Sequence, residues 1–550
     1  MATIEFKLFA PYNKEAALLA DFTDWEPAPM SKGDDGHFRL ETELEDGRYL
    51  YRFRVASKSW FHEENQLVEV TDPYAFEVVD DEYQNGVIEI RDGQQVTPPQ
   101  HEWQHDGKPL PGNQEIIIYE LLVHDFSGEA ADAGERGTFA KVRGKLDYLR
   151  ELGINAVELL PIGEYPGRDG WGYNPRHFFA TESSYGGAEE LARLIDELHG
   201  AGIRVLKDGI YNHAEASSPL AGIDHDYWFH HEPKDEEYHW GPEFNYQMRD
   251  DRFDVMPARQ FIGRAVTHWI RDFHFDGLRL DAAAQIRDPE VLAWLHDEAF
   301  RQTADKPFLV VAEHIPDSPD LVQPDGPLDG CWHETFYNTV KNALVHGEAR
   351  PQALMDVIDP RRRGYESGLR VINYLANHDH PQLMAELGQA GITGEAAFRR
   401  ARLGAILLLT SMGIPLIWCG EEFGDYRDKV LEANPVHWDL LENEPNQELH
   451  ALYKGLIQLR RTNGALQGSH LDFFHLDEEL PLIAFVRWND EGSRVVVIAN
   501  FSDQFLADYL LDDFPADGTW KDWVNGHEIE VEQRKLSLDI SEWEARVLVI

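Results

Sequence analysis

The chain runs to 550 residues, with 43% hydrophobic, 27% charged and 11% aromatic side chains, enough for more than one domain or for a large α/β barrel with attachments. Its 99 acidic residues against 50 basic ones give a formal net charge of -49, which leaves no basic patch for nucleic acid. No stretch approaches the roughly 20 apolar residues that cross a bilayer, and two cysteines, Cys331 and Cys419, cannot build a disulfide framework.

Met1 to Ala10 lacks the basic-then-apolar pattern of a signal peptide, so a reducing cytoplasm is the expected compartment. The carboxylates are spread along the whole chain and read as a solvated surface. One expectation is adaptation to a salty cytoplasm, where screening shortens the range of self-repulsion; an ordinary acidic protein is the alternative.

From Ile4 to about Glu89 the pattern is short alternating strands between turn residues, among them Ala17 to Leu19, Phe38 to Leu44 and Tyr49 to Val55, which predicts a β-sandwich over residues 1–95. A run rich in Gln, Pro, Gly and His follows and reads as a linker over 96–112. Apolar strands then alternate with helical patterns over 113–460. The strand candidates are Ile116 to Val123, Ala156 to Leu160, Val205 to Ile210, Gly277 to Leu280, Leu309 to Ala312, Val371 to Leu375 and Pro415 to Trp418, with Gly330-Cys331-Trp332 the thinnest. Helical patterns such as Gly187 to His199 and Phe261 to Phe273 lie between them. Eight such units close into a (β/α)8 barrel with its active site at the C-terminal strand ends. Period-two alternation returns over 461–550 (Ile483 to Arg487, Arg494 to Ile498, Ala545 to Val549), predicting a C-terminal antiparallel β-sandwich.

Four of the barrel segments end in charged or imidazole side chains: Asp208 to His213, Gly277 to Asp281, Ala312-Glu313-His314 and Asn377-His378-Asp379. Arg279 and Asp281 are two apart, so on a strand they point the same way, and a guanidinium beside a carboxylate favours its ionised form. Glu313 ends the next strand and is expected near Asp281. Retaining glycosidases place two such carboxyls about 5 Å apart, one attacking and the other donating then accepting a proton. Asp379 adds a third acid suited to sugar hydroxyls, and His213 and His378 are expected to donate hydrogen bonds to them. Taken singly, an acid at a strand end is usually a helix cap or a surface ion pair. His378-Asp379-His380 and His230-His231 match no strong zinc spacing, so no metal or other cofactor is expected at the site.

With these four regions in this order, the chain resembles the α-amylase family, glycoside hydrolase family 13. The resemblance implies that Asp281 is the nucleophile, Glu313 the general acid/base and Asp379 the transition-state stabiliser. Arg279, His213 and His378 would line the sugar site, with Asp208 supporting Arg279. Gly170-Trp171-Gly172-Tyr173 resembles a further family segment in which Tyr173 stacks under the same sugar ring, beside Trp171. Asp21-Phe-Thr-Asp-Trp25-Glu-Pro27, Tyr49 to Val55 and Asp72-Pro-Tyr-Ala75 resemble the family 48 carbohydrate-binding module of branching, debranching and trehalohydrolase-type members, with Trp25 and Trp60 as platform candidates. The implied substrate is an α-glucan such as glycogen, amylose or maltodextrin.

Ile414 to Phe423 resembles the last strand of branching and trehalohydrolase enzymes, whereas Asn377-His378-Asp379-His380 is closer to the trehalohydrolase and debranching versions. Gly209 departs from the apolar residue usual in the family. Tyr227-Trp-Phe-His-His231 with Trp240, Phe244 and Tyr246 offers an aromatic acceptor groove or a packed insert. Calcium-bearing relatives place a ligand at the position of Asn212; nothing else in the sequence supports calcium. Branching of α-1,4-glucan is ranked just ahead of hydrolysis, and a non-catalytic sugar-binding relative is the alternative of another class.

Overall fold

The structure is a computed structural model that describes residues 1–79, 83–128, 136–167, 170–303 and 306–550. Eight strands close into a barrel in chain order: Ile118–Leu121, Ala156–Leu159, Arg204–Gly209, Gly277–Leu280, Leu309–Ala312, Gly330–Trp332, Val371–Asn373 and Ile414–Trp418. All pairings are parallel, and the eighth strand closes on the first with Ile118 opposite Leu416. Every strand residue is buried, which is why these strands read as mainly apolar runs without polar alternation. The thin Gly330-Cys331-Trp332 signal is the sixth strand. The first strand stops short of the expected Val123, because Val123–Phe126 turns into one buried helical turn. The helix over Phe261 begins earlier, at Pro257–Arg271, since proline suits a first helical position.

Inside the barrel, strand pleating sorts the side chains into layers. Ile118, Ala156, Leu206, Leu309, Ile372 and Ile414 form an apolar cluster. Two residues further along, the same inward positions carry Glu120 opposite Glu158 and Asp208 opposite Arg279. A charged layer therefore rests directly on an apolar plug, at the end of the barrel where the loops gather.

Two N-terminal sheets sandwich a core of Ile4, Phe6, Leu8, Phe38, Leu18, Phe53, Val55 and Ile90. They are fastened to the insert that follows the third barrel strand. Asn13 Nδ2 donates to the Ile223 carbonyl at 2.9 Å, Ser57 Oγ to that of Gly222 at 2.8 Å, and Ser59 Oγ to that of Ala221. The glutamine-, proline- and histidine-rich run is docked rather than slack. Asp196 on helix Gly187–Gly200 accepts from His101 Nε2 at 2.9 Å and from the backbone of Gln104 and His105 at 3.0 and 2.9 Å, while Trp103 stacks on His274 at 3.8 Å.

In the C-terminal region, a six-stranded antiparallel sheet and a strand pair enclose a second apolar layer. Its period-two alternation is double-sided: Ile483, Phe485, Val495 and Val497 face the barrel core, and Leu482, Ala484, Val496 and Ile498 face the strand pair. Among the described residues no helix is long and apolar enough to cross a membrane.

Candidate active site

A cavity of 730 Å³ opens over the charged layer and is lined by Trp171, Tyr173, His213, Asp281, Glu313, His378 and Asp379. The residues singled out from the sequence are thus brought to one place. Arg279 and Asp208, beneath the lining, complete the set through their hydrogen bonds.

Arg279 is fully buried and organises the floor. Its Nη1 donates to both Asp208 oxygens at 2.7 and 2.6 Å and to Asp281 Oδ1 at 3.0 Å, while Nη2 pairs with Glu313 Oε2 at 3.0 Å. Its guanidinium lies 4.4 Å from the Trp332 ring. Burial opposes the charge, but Asp208, Glu313 and Asp281 outweigh it and hold Arg279 firmly protonated. Tyr173 OH also donates to Asp208, so two site residues are fixed by one carboxylate.

Asp281 differs from the expectation of a simply ionised carboxylate. Burial pushes its pKa well above the usual range, Arg279 pulls it down, and Glu313, Asp208 and Asp379 push it up again. Four acids face one guanidinium here, and that crowding of like charge adds to burial in favouring the protonated form of Asp281. The same Glu313 oxygen that faces Arg279, Oε2, also accepts from the Ala282 backbone N–H at 2.8 Å. Ala282 takes a left-handed conformation, φ 48°, to present that N–H.

The two histidines are not equivalent. His213 Nε2 donates to the Tyr173 carbonyl at 2.9 Å, and burial lowers its pKa to about 4, with that carbonyl opposing. It is neutral, and its one N–H is already used. For His378, burial works against the charge, but Asp379 and Glu120 more than outweigh it and raise its pKa well above the ordinary value. Nδ1 donates to Glu120 Oε1 at 2.7 Å, Nε2 pairs with Asp379 at 3.2 Å, and the ring stacks on Tyr173 at 4.9 Å. The expected free imidazole donors are therefore engaged within the protein. Asp379, although burial raises its pKa, is held well below the usual range by His378, Lys429 and Arg279.

Glu120, Glu158 and Lys429 were not singled out from the sequence. Glu158 is buried with neither oxygen hydrogen-bonded, and burial, Glu120 and Asp208 push its pKa well up. That environment favours its neutral form. Its signal, one glutamate inside Ala156–Leu159, was legible, since a buried carboxylate must be paired or protonated.

Elsewhere the geometry sorts the aromatic candidates. Tyr227, Trp228, Phe229, Phe244 and Tyr246 are buried in the insert, leaving Trp240 (46% exposed) and Tyr238 (41% exposed) on the cavity. Trp25 is covered by Arg52 at 4.5 Å, whereas Trp60 is 58% exposed. A Cβ on Gly209 would fall 2.5 Å from the Tyr211 ring, so the aromatic ring fills the space of the missing side chain. Both amide atoms of Asn212 lack a partner. Among the described residues no group of three or more His, Cys, Asp or Glu side chains is arranged to hold a metal.

A closed parallel barrel with acids clustered at its C-terminal strand ends is an enzyme architecture. Residues 121–254 match the family described as Alpha amylase, catalytic domain, residues 475–548 the Alpha amylase, C-terminal all-beta domain, and residues 2–75 the Carbohydrate-binding module 48 (Isoamylase N-terminal domain). The chain thus carries, in order, the carbohydrate-binding, catalytic and C-terminal domains of α-amylase-family enzymes, which are glycoside hydrolases and transglycosylases. It is 28% identical to the malto-oligosyltrehalose trehalohydrolase of Saccharolobus solfataricus over 79% of this chain and 75% of that one. It is 23% identical to the 1,4-α-glucan branching enzyme of Pseudoalteromonas atlantica, over 91% and 72%. The fold matches that of the Bacillus subtilis type I pullulanase complexed with maltose, with a TM-score of 0.81 at 23% identity, over 100% of this chain and 84% of that one.

Proposed function

We propose that the protein cleaves α-1,4-glucosidic bonds of glycogen- or maltodextrin-type chains with net retention. The observation that carries this reading is the single guanidinium of Arg279, in contact with both Asp281 and Glu313, which holds two carboxyls side by side over one cavity. Close pairing of this kind suits double displacement better than a water-wide gap. The reactive form has Asp281 carrying the charge and Glu313 the proton that the leaving oxygen takes. Asp281 then attacks C1 while Glu313 protonates the leaving oxygen, and the covalent glycosyl ester forms with inversion. Glu313, now the base, deprotonates the acceptor, and the second inversion restores the configuration. Asp379, His378 and Tyr173 hold the ring from its other side as positive charge builds up. Relatives named for malto-oligosaccharide and α-glucan chemistry, and a maltose complex of the same fold, support an α-glucan as substrate.

The acceptor decides the net reaction. Trp240 and Tyr238 give a sugar acceptor two exposed rings on the cavity wall, which favours transfer, including branching. Crowding at the opposite end, where Lys429 occupies Asp379, favours hydrolysis or transfer of short units over transfer of long chains. Proton NMR of amylose incubated with the enzyme tests this directly. New reducing ends without new α-1,6 signals establish hydrolysis, α-1,6 signals without matching reducing ends establish branching, and neither one rejects the reading.

A further inference from the structure

The cavity has two unlike ends. Glu313 follows the fifth barrel strand, and beyond it lie Gln285, Arg287, Ile315, Tyr238 and Trp240, an open rim with both aromatic rings exposed. At the other end, the loop after the eighth strand crosses to the loop after the second. Trp171 Nε1 donates to the Val430 carbonyl at 3.0 Å, and the Gly170 N–H to that of Leu431 at 3.1 Å. This strap, residues 428–433, is pinned at both feet. Buried Arg427 donates to Asp425 at 2.6 Å and to the Asn434 carbonyl at 2.7 Å, and the Asn434 N–H donates to Asp125 at 2.9 Å. From its crest Lys429 Nζ reaches Asp379 Oδ1 at 3.0 Å and the Asp379 carbonyl at 3.1 Å, and stands 5.0 Å from the Trp171 ring.

The direction of a bound chain follows from the proton donor. The general acid must touch the leaving oxygen, so the leaving part of the chain extends from Glu313 toward the open rim. The donor part extends across the mouth, toward Trp171 and the strap. Resting on the retaining reading above, we propose that Lys429 and its strap close the donor end, so that the sugar seated over the acids is the terminal, non-reducing glucose. An ammonium carries three donors. Two are used on Asp379, which lines the cavity, and the third is left for the sugar held by Asp379, at the end where an internal glucose would continue its chain and a terminal one carries a free hydroxyl. Lys429 is thus a specificity-determining residue. Leu431, 59% exposed on the cavity wall, adds bulk to the same barrier.

The test uses maltoheptaose and short-chain amylose tagged at the reducing end, with the tagged fragments sized at early times. The tag stays on the leaving part, so its length reports the length of the donor whether water or a sugar is the acceptor. Wild-type enzyme is expected to produce first the tagged fragment one unit shorter than the substrate. Tagged fragments from interior cleavage as the first products overturn the proposal. Absence of turnover on both substrates rejects the retaining α-1,4 reading and this inference with it, whereas interior cleavage leaves that reading standing. In Lys429→Ala, interior cleavage is expected to rise at least tenfold relative to terminal cleavage. An unchanged pattern in folded variant protein removes the assignment to Lys429. Should that variant fail to fold, the paired change Val430→Gly and Leu431→Gly keeps the lysine and loosens the strap, and is expected to shift cleavage inward in the same way.

Discussion

At the scale of single residues, the site is a problem of charge balance. Asp281, Glu313, Asp379, Asp208, Glu120 and Glu158 are gathered around three cationic groups, Arg279, His378 and Lys429. Full ionisation of the acids would leave buried negative charge unpaired, which favours a proton on Glu158 and on Asp281. Replacing Asp281 by Asn removes the proposed nucleophile while keeping shape and hydrogen bonding, and turnover should fall at least about 10³-fold, or ~4 kcal/mol of barrier. Rates of folded variant protein on amylose check this, and near-normal turnover would reject the assignment. Glu120→Gln tests the imidazolium. His378 has its pKa raised in the folded protein, so it is charged through neutral pH and loses its proton on the alkaline side. Removing one of the two carboxylates that raise it should move the alkaline limb of the kcat profile to lower pH, with the acid limb little changed. A profile that keeps its alkaline limb would show that His378 charge is not needed.

Among the elements, the turn after the eighth strand links the barrel to two helices through buried acids. Glu421 accepts from Tyr453 OH at 2.8 Å, and Glu422 accepts from Tyr119 OH at 2.9 Å, from Tyr148 OH, and from the Gly420 N–H at 3.0 Å. Burial raises their pKa values to about 8 and about 7, with the tyrosine hydrogen bonds opposing. An acid whose folded pKa is raised favours folding while it is protonated. Its unfolded counterpart ionises near 4.5, so stability declines from there until the folded pKa is passed, and is level beyond. Glu421→Gln should therefore raise the melting temperature at pH 8 by the equivalent of about 2 kcal/mol or more, and change it little at pH 4. Melts across that range decide the matter, and an equal effect at both ends would point to packing instead. The barrel strands were legible because each is a buried, mainly apolar run, and several stop at a charged residue, as at Asp208, Asp281 and Glu313. Glu120 was not, because one acid inside an apolar run carries no periodicity, and its partner, His378, lies far along the chain. Lys429 went unread for the same reason, its carboxylate being set by barrel closure rather than by spacing. The run Tyr227 to His231 was open to two readings because composition cannot tell which side of an insert faces the cavity.

For the whole molecule, the question is whether a net charge of -49 makes stability depend on salt. A surface of 21966 Å² with that charge holds one excess negative charge per roughly 450 Å², so neighbours lie about 21 Å apart. The screening length is about 30 Å at 0.01 M salt, about 10 Å at 0.1 M and about 3 Å at 1 M. Mean repulsion is thus felt at 0.01 M, largely damped at 0.1 M and absent at 1 M. If screening alone is at work, the melting temperature should be nearly flat from molar salt to about 0.1 M and fall steeply below it, with potassium and sodium chloride equivalent. A fall that begins already between 1 M and 0.1 M is too early for charges at this spacing. It would mean that the carboxylates act through hydrated or bound cations, and it should then differ between the two salts. Melts in both salts from molar to millimolar concentration separate these cases, and a curve flat throughout would mark an acidic surface that stability does not feel.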